Sequence, residues 1–61
     1  MDVKQLLDII SDSIDTYRTM ALNATTKDNE AYFTGRADGL EDAYYDILLQ
    51  KEREEEENGE E

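Results

Sequence analysis

Apolar residues in the first third of the chain recur with the spacing of a helix face. Starting at Val3, they follow one another at intervals of four, three, four, three and four residues. The members of this core stripe are Val3, Leu7, Ile10, Ile14, Tyr17 and Ala21. A strand would need strict alternation, which the adjacent pair Ile9-Ile10 breaks. The pattern therefore predicts an α-helix from Asp2 to about Asn23.

The second half of the chain carries a similar stripe. It begins at Phe33, continues at intervals of four, three, four and three residues, and is widened by Leu48. Its members are Phe33, Ala37, Leu40, Tyr44 and Ile47. The apolar pattern stops after Gln50, and the stripe predicts a second helix over about 28–53.

The connection between the two predicted helices is short and spans about 24–28. Either Thr25 or Thr26 is expected to cap the second helix, whose positive N-terminal end would also be favoured by Asp28. Because a short connection makes neighbouring helices antiparallel, the predicted fold is all-α, with an antiparallel two-helix hairpin over 1–53.

The length of the chain limits the size of this hairpin's core. A chain of 61 residues buries only about 60% of the surface that its unfolded form exposes, and disulfides, metals or association usually make up the deficit. The sequence contains neither cysteine nor histidine, and carboxylates alone prefer cations harder than zinc. We therefore expect a homodimer, in which two hairpins pair into a four-helix bundle without a cofactor.

Acidic residues dominate the charge of the chain, and the net charge is −11. The last eleven residues contribute −5 and the first fifty contribute −6, so the helices are acidic in their own right. The run Glu54–Glu57 predicts a disordered acidic tail over 54–61, with solubility as its simplest role and specific docking as the alternative. This charge argues against direct binding to nucleic acid and favours a basic protein partner.

Localisation follows from the segments that the sequence lacks. No stretch has the organisation of a signal peptide, and none approaches the roughly 20 apolar residues that a membrane span needs. The absence of cysteine agrees with a reducing compartment. The expectation is a cytoplasmic protein with no membrane contact.

Aspartates recur on the outward side of both predicted helices. These acidic ladders are Asp8, Asp12 and Asp15 in the first helix and Asp38, Asp42 and Asp46 in the second. Neighbours four residues apart are separated by roughly 6 Å of helix rise, which is of the same order as phosphate spacing along a nucleic-acid strand. An ordinary solvated face is the simpler interpretation. Aspartate is a poorer helix former than glutamate, however, and its choice favours nucleic-acid mimicry as the alternative.

Small residues recur every four positions in the second helix, at Ala31, Gly35, Gly39 and Ala43. Each glycine inside a helix costs about 1 kcal/mol relative to alanine, so some other interaction should compensate. Tight packing against the first helix or against a second copy is the simplest compensation. A groove for an element of a partner and a functional kink are the alternatives.

Tyrosine and arginine supply further interface candidates. Tyr32 and Arg36 lie on the same flank as Gly39, whereas Tyr45 lies on the opposite flank of the second helix. Both residue types are frequent anchors of protein interfaces. The remaining tyrosines are expected in the core.

Catalytic chemistry has little support in this sequence. No histidine or lysine is arranged to activate the serines or threonines, and the Glu-x-x-His motif of di-metal bundles is absent. Gly35 and Gly39 fall within a helix instead of after a strand, as a phosphate-binding loop would require. We expect a protein that is not an enzyme and has no catalytic, cofactor-binding or metal-binding residues.

The segment from Tyr32 to Tyr44 reads YFTGRADGLEDAY and combines an aromatic residue, two glycines, a leucine and an alanine in helical register. It resembles helices in small acidic early proteins of bacteriophages that infect Gram-positive bacteria. The resemblance covers about a fifth of the chain, and it carries over no functional residue. It implies that the protein binds and blocks one host protein during takeover of the host or evasion of its defences.

These observations predict a small acidic inhibitor or modulator that binds a basic protein of the host, with a nucleic-acid-handling or defence protein as its target. One alternative is a structural or adaptor module that binds through Tyr32, Arg36, Tyr45 and its apolar surface. The other is a small regulatory subunit whose hairpin completes a larger helical bundle.

Overall fold

Two α-helices make up the described part of the chain. The computed structural model describes residues 2–59, and it describes the side chains of residues 2–55. Helix α1 spans Val3–Leu22 and helix α2 spans Lys27–Gly59. The two helices pack against each other, so the predicted all-helical hairpin is confirmed.

A reciprocal pair of hydrogen bonds starts α1. The backbone N–H of Gln5 donates to Oδ1 of Asp2 at 2.8 Å, and the backbone N–H of Asp2 donates to Oε1 of Gln5 at 3.3 Å. This capping box satisfies N–H groups that the first turn of a helix cannot pair internally. It sets the orientation in which the chain enters α1.

Thr26 is the residue that caps α2. Its Oγ1 accepts a hydrogen bond from the backbone N–H of Asn29 at 3.2 Å, and its carbonyl oxygen accepts one from the backbone N–H of Glu30 at 3.0 Å. Asp28 and Glu30 lie in the first turn of α2, where a negative charge is favoured by the helix dipole. Of the two threonines that the sequence offered as caps, the structure therefore selects the second.

Removing this cap is expected to destabilise the hairpin. The substitution Thr26→Ala should lower the free energy of unfolding by about 1 kcal/mol, because the N–H of Asn29 loses its partner. Thr25→Ala changes the neighbouring exposed threonine and is the matched control, with little expected effect. Urea unfolding followed by circular dichroism measures both, and equal losses from the two variants would contradict the assignment of Thr26 as the cap.

The core is confined to the line of contact between the helices. Among residues 2–55, Leu7 and Ala37 are the only buried residues, with 8% and 0% of their surface exposed. The other members of the two core stripes are half-buried, except for the exposed Val3. Near the turn, the ring of Tyr17 stacks on that of Phe33 with their centroids 6.3 Å apart. The hairpin alone therefore has a thin core.

Helix α2 extends past the N-terminal end of α1. At about 1.5 Å per residue, α1 is about 30 Å long and α2 about 50 Å long, which agrees with the 54 Å length of the molecule. The apolar pattern predicts an end near Arg53, whereas α2 continues to Gly59. Glutamate, lysine and arginine are good helix formers, so local propensity continues the helix where packing has ended. Residues 60 and 61 lie outside the described residues, and the disorder of the acidic tail remains a prediction.

Acidic residues interrupt the apolar positions along both helices. Within residues 2–59, neither helix has an apolar stretch long enough to cross a membrane.

Candidate interaction surfaces

Each core stripe is bordered by two further stripes. A residue that directly precedes a core position is rotated from it by about 100° to one side, and a residue that directly follows is rotated by about 100° to the other side. Because the two helices are antiparallel, the preceding positions of both helices lie on one side of the hairpin. The following positions of both helices lie together on the opposite side.

The preceding positions form a surface that we name the apolar flank. They are Asp2, the N-cap residue of α1, with Leu6, Ile9, Ser13, Thr16 and Met20 of α1 and Tyr32, Arg36, Gly39, Ala43 and Asp46 of α2. Three of the larger side chains are well exposed, with 50% of Ile9, 40% of Met20 and 57% of Tyr32 accessible. The flank carries one base, Arg36, and two acids, Asp2 and Asp46, which both lie at the end remote from the turn. It is the least acidic surface of a strongly acidic protein.

A shallow groove runs along α1 on this side. It is lined by Ile9, Asp12, Ser13, Thr16, Tyr17 and Met20. Since Tyr17 also contacts α2, the groove lies next to the seam between the two helices.

Arg36 crosses from α2 to α1 on the apolar flank. Its guanidinium carbon lies 5.4 Å from the ring centroid of Tyr17 and 5.9 Å from that of Tyr32. Nη2 of Arg36 also donates a long hydrogen bond of 3.5 Å to the hydroxyl of Tyr17, and this bond is the main cause of a raised pKa of Arg36. Tyr32 packs edge-on against Phe33, with the ring centroids 5.3 Å apart. The structure thus joins the interface candidates Tyr32 and Arg36 to the aromatic part of the core.

The following positions form a second surface, which we name the acidic flank. They are Lys4, Asp8, Ser11, Asp15, Arg18 and Leu22 of α1 and Thr34, Asp38, Glu41, Tyr45 and Leu48 of α2. Tyr45, the interface candidate on this side, is 57% exposed and packs edge-on against Tyr44 with the ring centroids 5.6 Å apart. Four carboxylates, one guanidinium and one ammonium group therefore lie on the side opposite the apolar flank.

Arg18 crosses between the helices on the acidic flank. Its Nη2 donates to Oδ1 of Asp38 at 3.3 Å and also to Oε2 of Glu41. The hydrogen bond to Glu41 is the main cause of a raised pKa of Arg18. All three side chains are exposed to solvent, and exposed ion pairs add little to stability. They link the two helices on this side of the hairpin, and Asp38 is engaged within the hairpin by this contact.

The six aspartates of the predicted ladders are all exposed. Three of them lie on the acidic flank: Asp8, Asp15 and Asp38. Two lie on the outer backs of the helices, Asp12 on α1 and Asp42 on α2, and Asp46 ends the apolar flank. Within the described residues, no group of three or more acidic side chains is placed to hold a metal ion.

Gly35 and Gly39 lie in open space. A Cβ atom built on either glycine would have no neighbour within 4 Å. The tight packing of these glycines against α1, which the sequence pattern suggested, is therefore not present in the hairpin. Gly35 lines a shallow groove on the outer surface of α2 together with Ala31 and Asp38. Gly39 belongs to the apolar flank instead. The four small residues are therefore divided between two surfaces.

Sequence reasoning missed three residues of these surfaces. Ile9 and Met20 are exposed apolar residues of the apolar flank, and Arg18 joins the helices on the acidic flank. The signal for the first two was present, because each directly precedes a member of the core stripe. Arg18 directly follows one.

No protein-family model matches the chain, and neither a curated protein nor a solved structure matches it. The two flanks are therefore interpreted from their own geometry and charge.

Proposed function

We propose that this protein is a non-enzymatic binding module that inhibits or modulates a basic protein by docking on it with the acidic flank. The observation that carries this proposal is the row of carboxylates on the acidic flank. Four acids outnumber two bases there, Lys4 and Arg18, whereas the apolar flank has two acids, Asp2 and Asp46, both at the end remote from the turn. A surface of one sign attracts an oppositely charged partner and orients its approach.

A protein that handles nucleic acid is the class of target that this surface fits best. Such a protein has a groove lined with lysine and arginine for phosphates, and the acidic flank offers carboxylates held on a helical frame. Asp8 and Asp15 are separated by about 10 Å of helix rise, so the flank can span more than one phosphate site. The resemblance to early bacteriophage proteins adds a defence protein of the host, in the host cytoplasm, as a target of the same kind.

The proposal includes a homodimer in which two hairpins form a four-helix bundle. Its support is the thin core, since Leu7 and Ala37 are the only buried residues of the described side chains. Association is the usual remedy for a short chain without disulfides or metals.

Neutralising the acidic flank tests the proposed docking surface. The triple variant Asp8→Asn, Asp15→Asn, Asp42→Asn removes two charges of the flank and one on the adjoining outer surface of α2, with little change in shape. We expect its association with the partner to be about tenfold slower at low salt, because electrostatic steering acts on the association rate. The difference should shrink as salt shortens the Debye length from about 30 Å at 0.01 M to about 8 Å at 0.15 M.

The matched control removes three charges elsewhere. Glu52→Gln, Glu54→Gln and Glu55→Gln change the exposed extension of α2 by the same net charge. The partner is captured from the native cell on the tagged protein at low salt, eluted at high salt, and its association is followed by stopped-flow fluorescence. Equal slowing by the two triple variants would mean that total charge, and not the acidic flank, governs recognition.

An adaptor function is the second candidate, and the exposure of Ile9, Met20 and Tyr32 favours it. A partner would then bind the apolar flank, and salt would have little effect on its association. Tyr32→Ala would weaken such binding, whereas the triple substitution on the acidic flank would not. A regulatory subunit that completes a larger helical bundle would use the same flank, and its isolated chain would be a poorly packed monomer.

A further inference from the structure

We propose that a second copy of this chain covers the apolar flank, with α1 of each hairpin packed on α2 of the other and with both turns at the same end. This inference rests on the dimer included in the proposed function, and it specifies the surface and the arrangement. Exposed area, charge and the levels of the side chains along the helices each support it.

The exposed area fits a missing neighbour of this size. The chain has an accessible surface of 5037 Å², whereas a globular protein of its mass is expected to expose about 4,100 Å². The excess of about 900 Å² is close to the roughly 800 Å² that each partner buries in a standard interface. The extension of α2 beyond α1 contributes to this excess, and the exposed Ile9, Met20 and Tyr32 of the apolar flank contribute as well.

Charge selects the apolar flank as the meeting surface of two identical chains. Each copy carries a net charge of −11, so the copies repel each other through most of their surface. Among the eleven positions of the apolar flank, the charged residues are the positive Arg36 and two acids, Asp2 and Asp46, which lie at the end remote from the turn. Two copies can therefore approach with the least repulsion on this side.

The angle between the stripes also fits a four-helix bundle. In a bundle of square cross-section each helix has two neighbours in directions about a quarter turn apart. The preceding stripe of each helix is rotated by about 100° from its core stripe. Each helix thus offers one stripe to its own hairpin partner and one stripe to a helix of the second copy.

The heights of large and small residues along the bundle axis, here called their levels, decide which helix of the second copy is the neighbour. Tyr17 is level with Phe33, as their ring stacking shows, so in this antiparallel pair Ile9 is level with the interval between Gly39 and Ala43. A two-fold axis along the bundle keeps these levels between copies. The side chain of Ile9 then enters the space that the two small residues of the other copy's α2 leave open.

Arg36 favours the same arrangement. At its level on the facing α1 lie Ser13 and, beside it, Asp12, which lines the groove of the apolar flank. The arrangement with the turns at opposite ends would place α2 on α2 and bring the two Arg36 side chains together. Packing α1 on α2 therefore pairs the guanidinium with a carboxylate, whereas the reversed arrangement opposes two like charges.

The substitution Ile9→Glu tests which surface is used. We expect the dimer dissociation constant to rise by about a hundredfold or more, because the interface would bury two carboxylates without partners. Leu49→Glu is the matched control, since Leu49 is similarly exposed, at 57% against 50% for Ile9, and lies outside the apolar flank. Sedimentation equilibrium over a concentration series measures both, and it should leave the control dimer unchanged.

Engineered cysteines test the arrangement, and the chain has no cysteine of its own. We expect the double variant Ile9→Cys, Ala43→Cys to form covalent dimers on mild oxidation, because the two positions meet between copies. A link within one chain is excluded in the hairpin, where flank positions of neighbouring helices lie about one interhelix distance of 8–10 Å apart, too far for a disulfide. The single variant Ser13→Cys should stay monomeric under denaturing, non-reducing conditions.

Each outcome decides between the proposals. Covalent dimers from the double variant and a weakened Ile9→Glu dimer support the inference. Rapid cross-linking of Ser13→Cys alone would overturn it in favour of α1 packed on α1. A wild-type protein that stays monomeric at all concentrations, or an Ile9→Glu variant that dimerises normally, would also overturn it. The cross-linking and dimerisation results do not test the acidic flank. That surface is tested separately by the association rate of the triple aspartate variant.

Discussion

Replacing Leu7 with alanine is expected to lower the free energy of unfolding by about 2–5 kcal/mol. The substitution removes buried methyl groups and leaves a cavity, which is the cost measured for large-to-small changes in protein cores. Leu7 is the largest buried side chain among residues 2–55, with 8% of its surface exposed. A chain of 61 residues has a total stability of about 3–9 kcal/mol at typical values per residue. One substitution at this position therefore removes a large part of the stability.

Leu49→Ala is the control for this loss. Leu49 is 57% exposed, and alanine is a slightly better helix former than leucine, so the control should change stability very little. Thermal unfolding at a fixed protein concentration compares the variants, because association would make the midpoint depend on concentration. If Leu7→Ala unfolded at the same temperature as the wild type, the core would not lie along the line of contact described above.

Replacing Ala37 with leucine is expected to destabilise the hairpin by about 1–3 kcal/mol, because it overfills the core where Leu7→Ala would leave a cavity. Ala37 has no exposed surface, so the added atoms of a leucine side chain have no solvent to enter and must push the helices apart. The displacement would also affect the ion pair of Arg18 with Glu41, which bridges the same two helices. Urea unfolding followed by circular dichroism measures the loss.

Ala31→Leu supplies the matched control for Ala37→Leu. Ala31 is exposed on the outer surface of the same helix, and leucine is nearly as good a helix former as alanine. The two variants thus differ in burial alone. A loss of similar size in both would indicate that the chemistry of the substitution, and not the closeness of the helices at Ala37, causes the effect.

The fold was predictable because its two core stripes follow one another in the same heptad rhythm with a short connection between them. The two stripes and the short connection are sufficient to predict an antiparallel pair of helices, and few other residues are needed for that prediction. The capping box is also visible in the sequence, since Asp2 and Gln5 stand at the required spacing. The end of α2 is not visible in the apolar pattern. Residues beyond Arg53 still favour a helix, although the apolar period has already ended there.

The two flanks were predictable in outline and not in detail. Once the helices are antiparallel, the positions that precede the core stripes must lie on one side. Ile9 and Met20, which precede Ile10 and Ala21, could therefore have been assigned to a common surface. The contacts made by Arg18 and Arg36 were not predictable, because a long flexible side chain can reach several partners from one position. Asp38 could not be recognised as an engaged residue before its distance to Arg18 was known.

Gly35 and Gly39 of α2 have no compensating contact within a single hairpin. The sequence indicated that Gly35 and Gly39 need some compensation, and within the hairpin neither has a neighbour. The compensation is therefore expected outside the single chain. Gly35, on the outer surface, and Gly39, on the apolar flank, need not have the same neighbour.

The acidic and apolar flanks lie on opposite sides of the hairpin, so a positively charged surface and a second copy would each meet a different side of the molecule. Assembly and target recognition would then proceed from opposite sides of one rod, and neither event would have to wait for the other.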